Sequence, residues 1–522
     1  MYKGVAEKKK SSKKRTVILG SVSLLLGIGA FLALATDVIA PEPIVNELSF
    51  DESVSDSEQA QISDAIDPLI EYEQNIAASI QTSTTTDKLS SVLGVYVPVM
   101  DAYAVQQRIT SEQLVGTEIV VPDSLDQEIQ SALASILSVT VTAKPVNNHV
   151  LELQPDEIAF IPIDQLNFRY KLLHFDDSYY LDDFISGAIF RQVSFDGDES
   201  NQVSNLTYNS LQTSNEIYTV NMTGVTALTR VMQRKLAQVG DPLYFSEFIG
   251  DFLSDADLTH ISNEVSFLEN CSYSNSSFCS PPEFIETLKA SGVDLVELTG
   301  NHNNDRGAAA NAATIELYEN LGWETLGGGL NTEDAAAPVN ISAEGSNITF
   351  LGYNYPDGPG VIASETAAGG NPYDRDQIIA DIAAAKEASD FIIIGIQFWE
   401  CYAYPDGYIE YPTCDVPIGQ QESVFKDLID LGADMVVGSS AHQPQTYEIY
   451  NDRPIYYGLG NLYFEQTSWP GTERSLILTH YFNAGELIQT KITPTVYDSA
   501  LQTRLMTDEE AAFLLQRLSD AR

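Results

Sequence analysis

Positive charge is the scarcest resource in this chain. Its 522 residues include 27 Lys/Arg against 74 Asp/Glu, a net charge of −47. Binding to a phosphate backbone depends on neutralisation by Lys and Arg, so a nucleic-acid partner is excluded. The hydrophobic share of 44% is that of a folded protein and excludes a disordered acidic tail. Cysteine is nearly absent: there are four, with no CxxC pair and no flanking His, which argues against a structural zinc site. Neither Ser439 nor Ser440 has the G-x-S-x-G flanks of a nucleophile elbow, so a serine hydrolase is a poor fit. No repeat of 20–50 residues is visible.

What positive charge there is sits at the front. Residues 1–15 carry seven Lys/Arg and one Glu, a local sum of +6, leaving −53 on the rest. An uncharged apolar run from Val17 to about Ala35 follows. Its length approaches the roughly 20 residues a membrane-spanning helix needs. Positive charge before it keeps a cytoplasmic tail (1–15) inside and exports everything after the expected transmembrane helix (16–40). A cleaved signal peptide ending at Ala33-Leu34-Ala35 is the alternative. Either way the bulk is expected outside the cell, on a single-pass membrane anchor in the first case. Residues 41–60, acidic and bearing Pro and Ser, read as a stalk. The cysteines suit that oxidising address: Cys271 and Cys279 enclose one short loop, Cys401 and Cys414 another. Of three possible pairings the sequential one is expected. The acidic exterior reads as a soluble, self-repelling surface or as adaptation to high salt.

Two folded parts are expected outside the membrane. Residues 61–195 show mixed periodicity: ISDAIDPLIEYEQNIAASI is helical in pattern, whereas SVLGVYVPVMDAYA and ILSVTVTAKPV read as strands. A polar, turn-rich stretch (196–216) reads as a linker. From 217 to 497 strand, loop and helix alternate. VDLVELTG, NITFLGYN, FIIIGIQF, DMVVGSS and PIYYGLGNLYF read as strands; AAANAATIELYENLG, DRDQIIADIAAAKEA and QESVFKDLIDLG as helices. That alternation predicts an α/β fold with helices packed on sheet and chemistry at the strand ends. A C-terminal helix is expected within 498–522, with capping-box spacing at Thr507–Glu510.

Two of the six histidines occupy a distinctive setting. His302 in LTGNHNNDRG and His442 in VVGSSAHQPQ each follow a hydrophobic strand in a Gly-flanked loop. Such positions suit converging metal ligands or acid/base groups. Asn301 adds a neutral oxygen and Glu264, in LTHISNEVSF, a carboxylate. Mn, Zn or Fe accepts that mixture of donors. His149, His174, His260 and His480 stand in no comparable context.

The ordered segments SNE, ELTGNHNNDRG, TLGGG, GADMVVGSSAHQPQ and PIYYGLGNLYF resemble the bacterial CapA family, the capsule or poly-gamma-glutamate synthesis proteins of the calcineurin-like metallophosphoesterase superfamily. The resemblance spans about 217–497 and implies a layered α-β-β-α sandwich. It maps family motif positions onto Asn263, Glu264, Asn301, His302, Asp305, Gly307, His442, Gly460 and Asn461. It implies that Glu264, Asn301 and His442 are metal ligands, that His302 contacts or protonates a scissile ester, and that Asn263, Asp305 and Asn461 support them. Three motif positions depart from the family: Val225 and Thr226 stand where an Asp is usual, Gln397 replaces a His, and Ser439 and Ser440 replace two histidines. The expectation is therefore one divalent ion rather than two, with Asp305 and Glu400 nearby in sequence as compensating acids. Residues 61–195, through VYVPVMDAYAVQQRITSEQL and the Ile161–Asp177 phrase, resemble the periplasmic-binding-protein-like module found upstream of some CapA domains. The implied partners are a cell-envelope polymer or its synthesis machinery. The implied function is polymer synthesis, export or attachment, hydrolytic or, alternatively, that of a scaffold or solute-binding protein.

Overall fold

Runs such as Val293–Glu297 and Phe391–Phe398 are apolar at nearly every position, the pattern of strands covered on both faces. The computed structural model describes residues 48–50, 54–65, 76–86, 92–196, 217–272, 278–343, 345–355, 358, 360–398 and 420–522, and both runs are buried strands in it.

The N-terminal part is an eight-stranded mixed sheet. Its strands are β1 (Leu48–Phe50), β2 (Ile76–Ser83), β3 (Val92–Asp101), β4 (Glu118–Pro122), β5 (Thr140–Lys144), β6 (Ala159–Pro162), β7 (Tyr170–Leu172) and β8 (Ile189–Asp196). The order is β1-β2-β8-β3-β6-β4-β5, with β7 also on β3. Helix α1 (Asp56–Ala65) is tied to this sheet by a buried ion pair, Arg191 to Glu58 at 2.7 Å. Helix α2 (Gln127–Leu137) buries Ile129, Leu133 and Leu137 against one sheet face.

Two further sheets follow. The first contains β9 (Ile217–Thr226), β10 (Leu258–Asn263), β11 (Val293–Glu297) and β12 (Glu324–Leu326), all parallel. The second is built on β13 (Val339–Ala343), β14 (Ser346–Tyr355), β15 (Phe391–Phe398), β16 (Met435–Ser439), β17 (Tyr447–Tyr450) and β18 (Arg453–Tyr456), in the order β13-β14-β15-β16-β18-β17. The chain then returns to the first sheet through β19 (Asn461–Tyr463), which pairs with β9, and the antiparallel β20 (Arg474–Asn483), β21 (Glu486–Tyr497) and β22 (Thr503–Leu505).

Alternation along the strands then decides the layers. Val220, Met222, Leu295 and Leu478 of the first sheet meet Phe350, Ile393, Met435 and Val437 of the second in one shared core. The opposite face of the first sheet is covered by α3 (Val231–Val239), α4 (Ile285–Ala290) and α5 (Ala308–Leu321). That of the second is covered by α6 (Arg375–Ala388) and α7 (Gln420–Leu431). The result is helix, sheet, sheet, helix. Helix α8 (Asp508–Asp520) closes one edge with Leu514, Leu515 and Leu518, and its Thr507–Glu510 capping box is formed.

Several expectations shift. Residues 48–50 and 56–60, read as stalk, belong to β1 and α1, because β1 pairs in register with β2 and Glu58 is buried. The helical reading of 62–80 fails at 76–80: pairing with β1 and β8 makes a strand there. PIYYGLGNLYF divides into β18 and β19, which serve different sheets, and β22 precedes the C-terminal helix within 498–522. Among the described residues no helix is long and apolar enough to cross a membrane. The 16–40 segment, Glu400, the Cys401–Cys414 pair and nearly all of the 196–216 linker lie outside the described residues.

Two measurements test this packing. Glu58→Ala leaves Arg191 buried without its counter-charge, and the expected cost is about 3–5 kcal/mol in denaturant unfolding. His480, buried in β20, is pushed down from 6.5 to about 3, first by burial and then by the nearby His260. Between those values the unfolded chain takes up a proton that the folded one refuses, so stability falls as pH drops through that window. At pH 5 the loss from this group is about 2 kcal/mol. Thermal melts at pH 7 and pH 5 should show a larger drop for the wild type than for His480→Leu.

Candidate functional site

The parallel strands of both sheets point their C-terminal ends the same way, and the loops leaving them carry the candidate residues. Thr226 at the end of β9 pairs with Asn263 of β10 and Tyr463 of β19. The Glu264 N–H donates to the Thr226 carbonyl at 3.0 Å, which fixes the carboxylate-bearing residue at that edge. The loop after β11 lies directly against it. A Cβ on Gly300 would stand 2.7 Å from Glu264 Cγ, so only glycine permits this approach and carries Asn301 and His302 up to Glu264. Glu264 is fully buried.

His302 and His442 are held in opposite ways. His302 Nδ1 lies 3.1 Å from Asp305 Oδ2, and the same carboxylate oxygen accepts the Phe278 N–H at 2.8 Å. The His302 side chain remains 24% exposed. His442 is buried. Its Nδ1 donates to Asn461 Oδ1 at 2.9 Å, while Asn461 Nδ2 donates to the Thr472 carbonyl and to Gln466 Oε1, both at 3.1 Å. The Thr472 carbonyl can only accept, so it sets the Asn461 orientation and places the His442 proton on Nδ1. Nε2 is then the lone-pair nitrogen. The loop is strained to do this: Ser440 and His442 have φ of 78° and 57°, a region that β-carbon-bearing residues avoid.

An aromatic bridge connects the two histidines. The Phe278 ring packs 4.4 Å from His302, the Phe464 ring 5.2 Å from His442, and the two phenyl rings are 6.3 Å apart. The Arg230 guanidinium stands 4.8 Å and 4.6 Å over those rings. Phe278 reaches His302 from the loop closed by the Cys271–Cys279 disulfide, as expected from the spacing. Arg230, Phe278 and Phe464 were not legible as site residues. The only hint was that Arg230 follows β9 by four positions, in TALTR.

A second missed residue is Glu297, the last of β11 and buried between the sheets. It accepts from His260 Nε2 at 3.0 Å, from Thr299 Oγ1, and at 3.4 Å from Ser439 Oγ of β16. Gly395 of β15 makes room, since a Cβ there would meet Glu297 Oε2 at 2.5 Å. One carboxylate thus joins the stem of the His302 loop to the stem of the His442 loop. His260, given no role on sequence grounds, is its hydrogen-bonding partner.

Asn263 turns away from the strand-end loops. Its amide nitrogen donates to the Val265 carbonyl at 2.7 Å and to Tyr318 Oη at 2.8 Å, which fastens α5 to β10. The positions that depart from the CapA motifs are neutral and buried: Thr226, Gln397, Ser439 and Ser440. Among the described residues the hydroxyls of Thr226 and Ser440 find no hydrogen-bond partner. Among the described residues no three His, Cys, Asp or Glu side chains are grouped to hold a metal ion.

With this geometry in view, residues 219–466 match the bacterial capsule synthesis protein PGA_cap family. That segment, just under half of the chain, is a CapA-type domain. The Bacillus anthracis capsule biosynthesis protein CapA is 26% identical over 203 residues, 38% of this chain and 46% of that one. The Bacillus subtilis PGA biosynthesis protein CapA is 24% identical over 213 residues, 41% and 53% of the two chains. A probable polyglutamine synthesis accessory protein of Mycobacterium tuberculosis is 26% identical over 250 residues, 44% and 62%. The chain spans about half the length of the curated relatives it matches. A Thermus thermophilus 5'-nucleotidase precursor of known structure shares 11% identity at a TM-score of 0.33, covering 58% of this chain and 57% of that one.

The Glu297 clamp makes a direct prediction. Glu297→Ala removes the acceptor of His260 and Thr299 inside the core, so unfolding should become easier by about 2–4 kcal/mol. Proteolysis of the native protein should also cut first in the 300–307 or 440–446 loops.

Proposed function

We propose that this protein is a membrane-anchored, exported CapA-type protein. It serves synthesis, export or attachment of a capsule or poly-gamma-glutamate type polymer at the cell envelope, through a calcineurin-like domain. The observation that supports the reading is that residues at positions resembling CapA motifs and far apart in sequence, Glu264, Asn301, His302, His442 and Asn461, lie at or just beyond neighbouring strand ends within the matched 219–466 segment. Export is supported by the disulfide and by the +6 tail ahead of an apolar run.

The residues do not fit a two-metal centre. Such a site needs several carboxylates and imidazoles, and the motif positions offer Thr226, Gln397 and Ser440 instead. The donor set is compatible with a single divalent ion, Mn, Zn or Fe, held by Glu264, Asn301 and His442, since the His442 tautomer leaves Nε2 as a donor. When bound, such an ion would polarise a phosphate-ester or amide oxygen. His302, oriented by Asp305 through Nδ1, gives or takes the proton at its other ring nitrogen, Nε2. Arg230 supplies positive charge beside it. The neutral replacements also favour a second reading, a scaffold that keeps the fold without catalysis. In both readings the 61–195 part is a periplasmic-binding-protein-like module.

Calorimetric titration of Mn or Zn into the chelator-treated full chain tests the assignment. One equivalent should bind and raise the melting temperature by about 4 °C or more, and Glu264→Gln and His442→Ala should abolish both effects. In a host cell lacking the chain, wild type should restore surface polymer and His302→Ala should not. Restoration by His302→Ala together with no metal uptake leaves the scaffold.

A further inference from the structure

Beyond residue 15 the chain has 20 Lys/Arg against 73 Asp/Glu. One stretch reverses that ratio. From Ile217 to Gly240, through β9 and α3, the chain carries Arg230, Arg234 and Lys235 and no Asp or Glu. Of the three cations, Arg230 stands in the loop that leaves β9 at the strand-end edge.

The fold holds this side chain in one place. Its guanidinium lies 4.8 Å from the centre of the Phe278 ring and 4.6 Å from that of Phe464, and those rings pack on His302 and His442. The cation is therefore one ring away from each histidine. Its Nη2 donates to the Glu465 carbonyl, a neutral partner. The Arg230 backbone sits at φ 50° and ψ −112°, which a residue bearing a β-carbon avoids. Strain of this kind persists only where surrounding contacts over-determine it, and it gathers at ligand clamps.

Elsewhere acids answer the cations: Arg191 meets Glu58, Arg375 meets Asp427 and Arg504 meets Glu510. Arg230 is not answered in this way. Among the described residues no carboxylate forms an ion pair with it, and its Nε is buried without a hydrogen-bond partner. Asp305, a carboxylate of the same site, is taken by His302 and by the Phe278 N–H. The phenyl faces attract the charge of Arg230 but do not neutralise it.

We propose that Arg230 is a specificity-determining residue of the strand-end site, an assignment that rests on the function proposed above. Its guanidinium takes an anionic oxygen of the substrate, carboxylate or phosphate, and holds it one ring away from His302 and His442. With Nη2 committed to Glu465 and Nε buried, Nη1 is the end left to meet the anion. A contact through one end reads charge rather than the planar shape that a bidentate fork would select.

Tetra-γ-glutamate and inorganic phosphate are titrated into the full-length chain in non-ionic detergent and followed by calorimetry. At least one should bind, with an affinity that falls as salt is raised from about 0.05 to about 0.5 M. The tighter of the two tells a carboxylate source from a phosphate source. The neutral variants Arg230→Gln and Arg230→Met should weaken that anion by about tenfold or more and flatten its salt dependence. Arg230→Lys, which keeps the charge, should stay within about threefold of wild type. Circular dichroism checks that the variants fold. Failure of both anions to bind, wild-type affinity in a folded neutral variant, or an equal loss in the neutral and Lys variants overturns the assignment. Polymer restoration by wild type against His302→Ala reports on the function itself with Arg230 in place, so the two failures are told apart.

Discussion

A carboxylate buried between two sheets is costly unless every oxygen is answered, and Glu297 is answered from three directions. His260 comes from the neighbouring strand of its own sheet, Thr299 from its own loop, and Ser439 from the facing sheet. Because β11 and β16 end at this point, the group that reconciles the two sheets also sets the take-off of the loops bearing His302 and His442. The core shared by Val220, Leu295, Ile393 and Val437 supplies favourable burial between the sheets, but it is non-directional. It would tolerate a small sliding of one sheet on the other. The Glu297 contacts would not.

From that anchor the site acquires two unlike histidines. One is part-exposed and backed by a carboxylate; the other is buried and backed by an amide whose orientation is dictated by a backbone carbonyl. The first arrangement favours proton transfer and the second favours lone-pair donation. The Cys271–Cys279 loop enters the same economy of contacts by delivering Phe278 onto His302 and its N–H onto Asp305. A surface excursion thereby becomes part of the wall of the site.

Charge follows a separate logic. With −53 spread over the part beyond residue 15, most of the exterior repels anions at low ionic strength. Where cations gather along the seam between the N-terminal sheet and β21, carboxylates answer them: Arg108 meets Asp177 and Asp508, and Lys491 meets Asp182.

Much of the fold follows from local pattern. The apolar runs of β11, β14, β15 and β16, Gly322 ending α5, Asp374 capping α6 and the Thr507–Glu510 box all report short-range preferences that the chain satisfies where it stands. The candidate residues Glu264, Asn301, His302 and His442 could be picked out for a related reason: each lies within a few positions of the end of such a run. Pairing across sheets had no such signature. That 48–50 joins a sheet, that 76–80 is strand, and that PIYYGLGNLYF divides between two sheets depend on partners remote in sequence. The same holds for Glu297, Arg230 and Phe278. Sequence by itself determined the elements and the residues at their ends, because those answer to neighbours a few positions away. Only tertiary structure decided which ends face one another, because contact between distant segments is chosen by the packing of whole sheets.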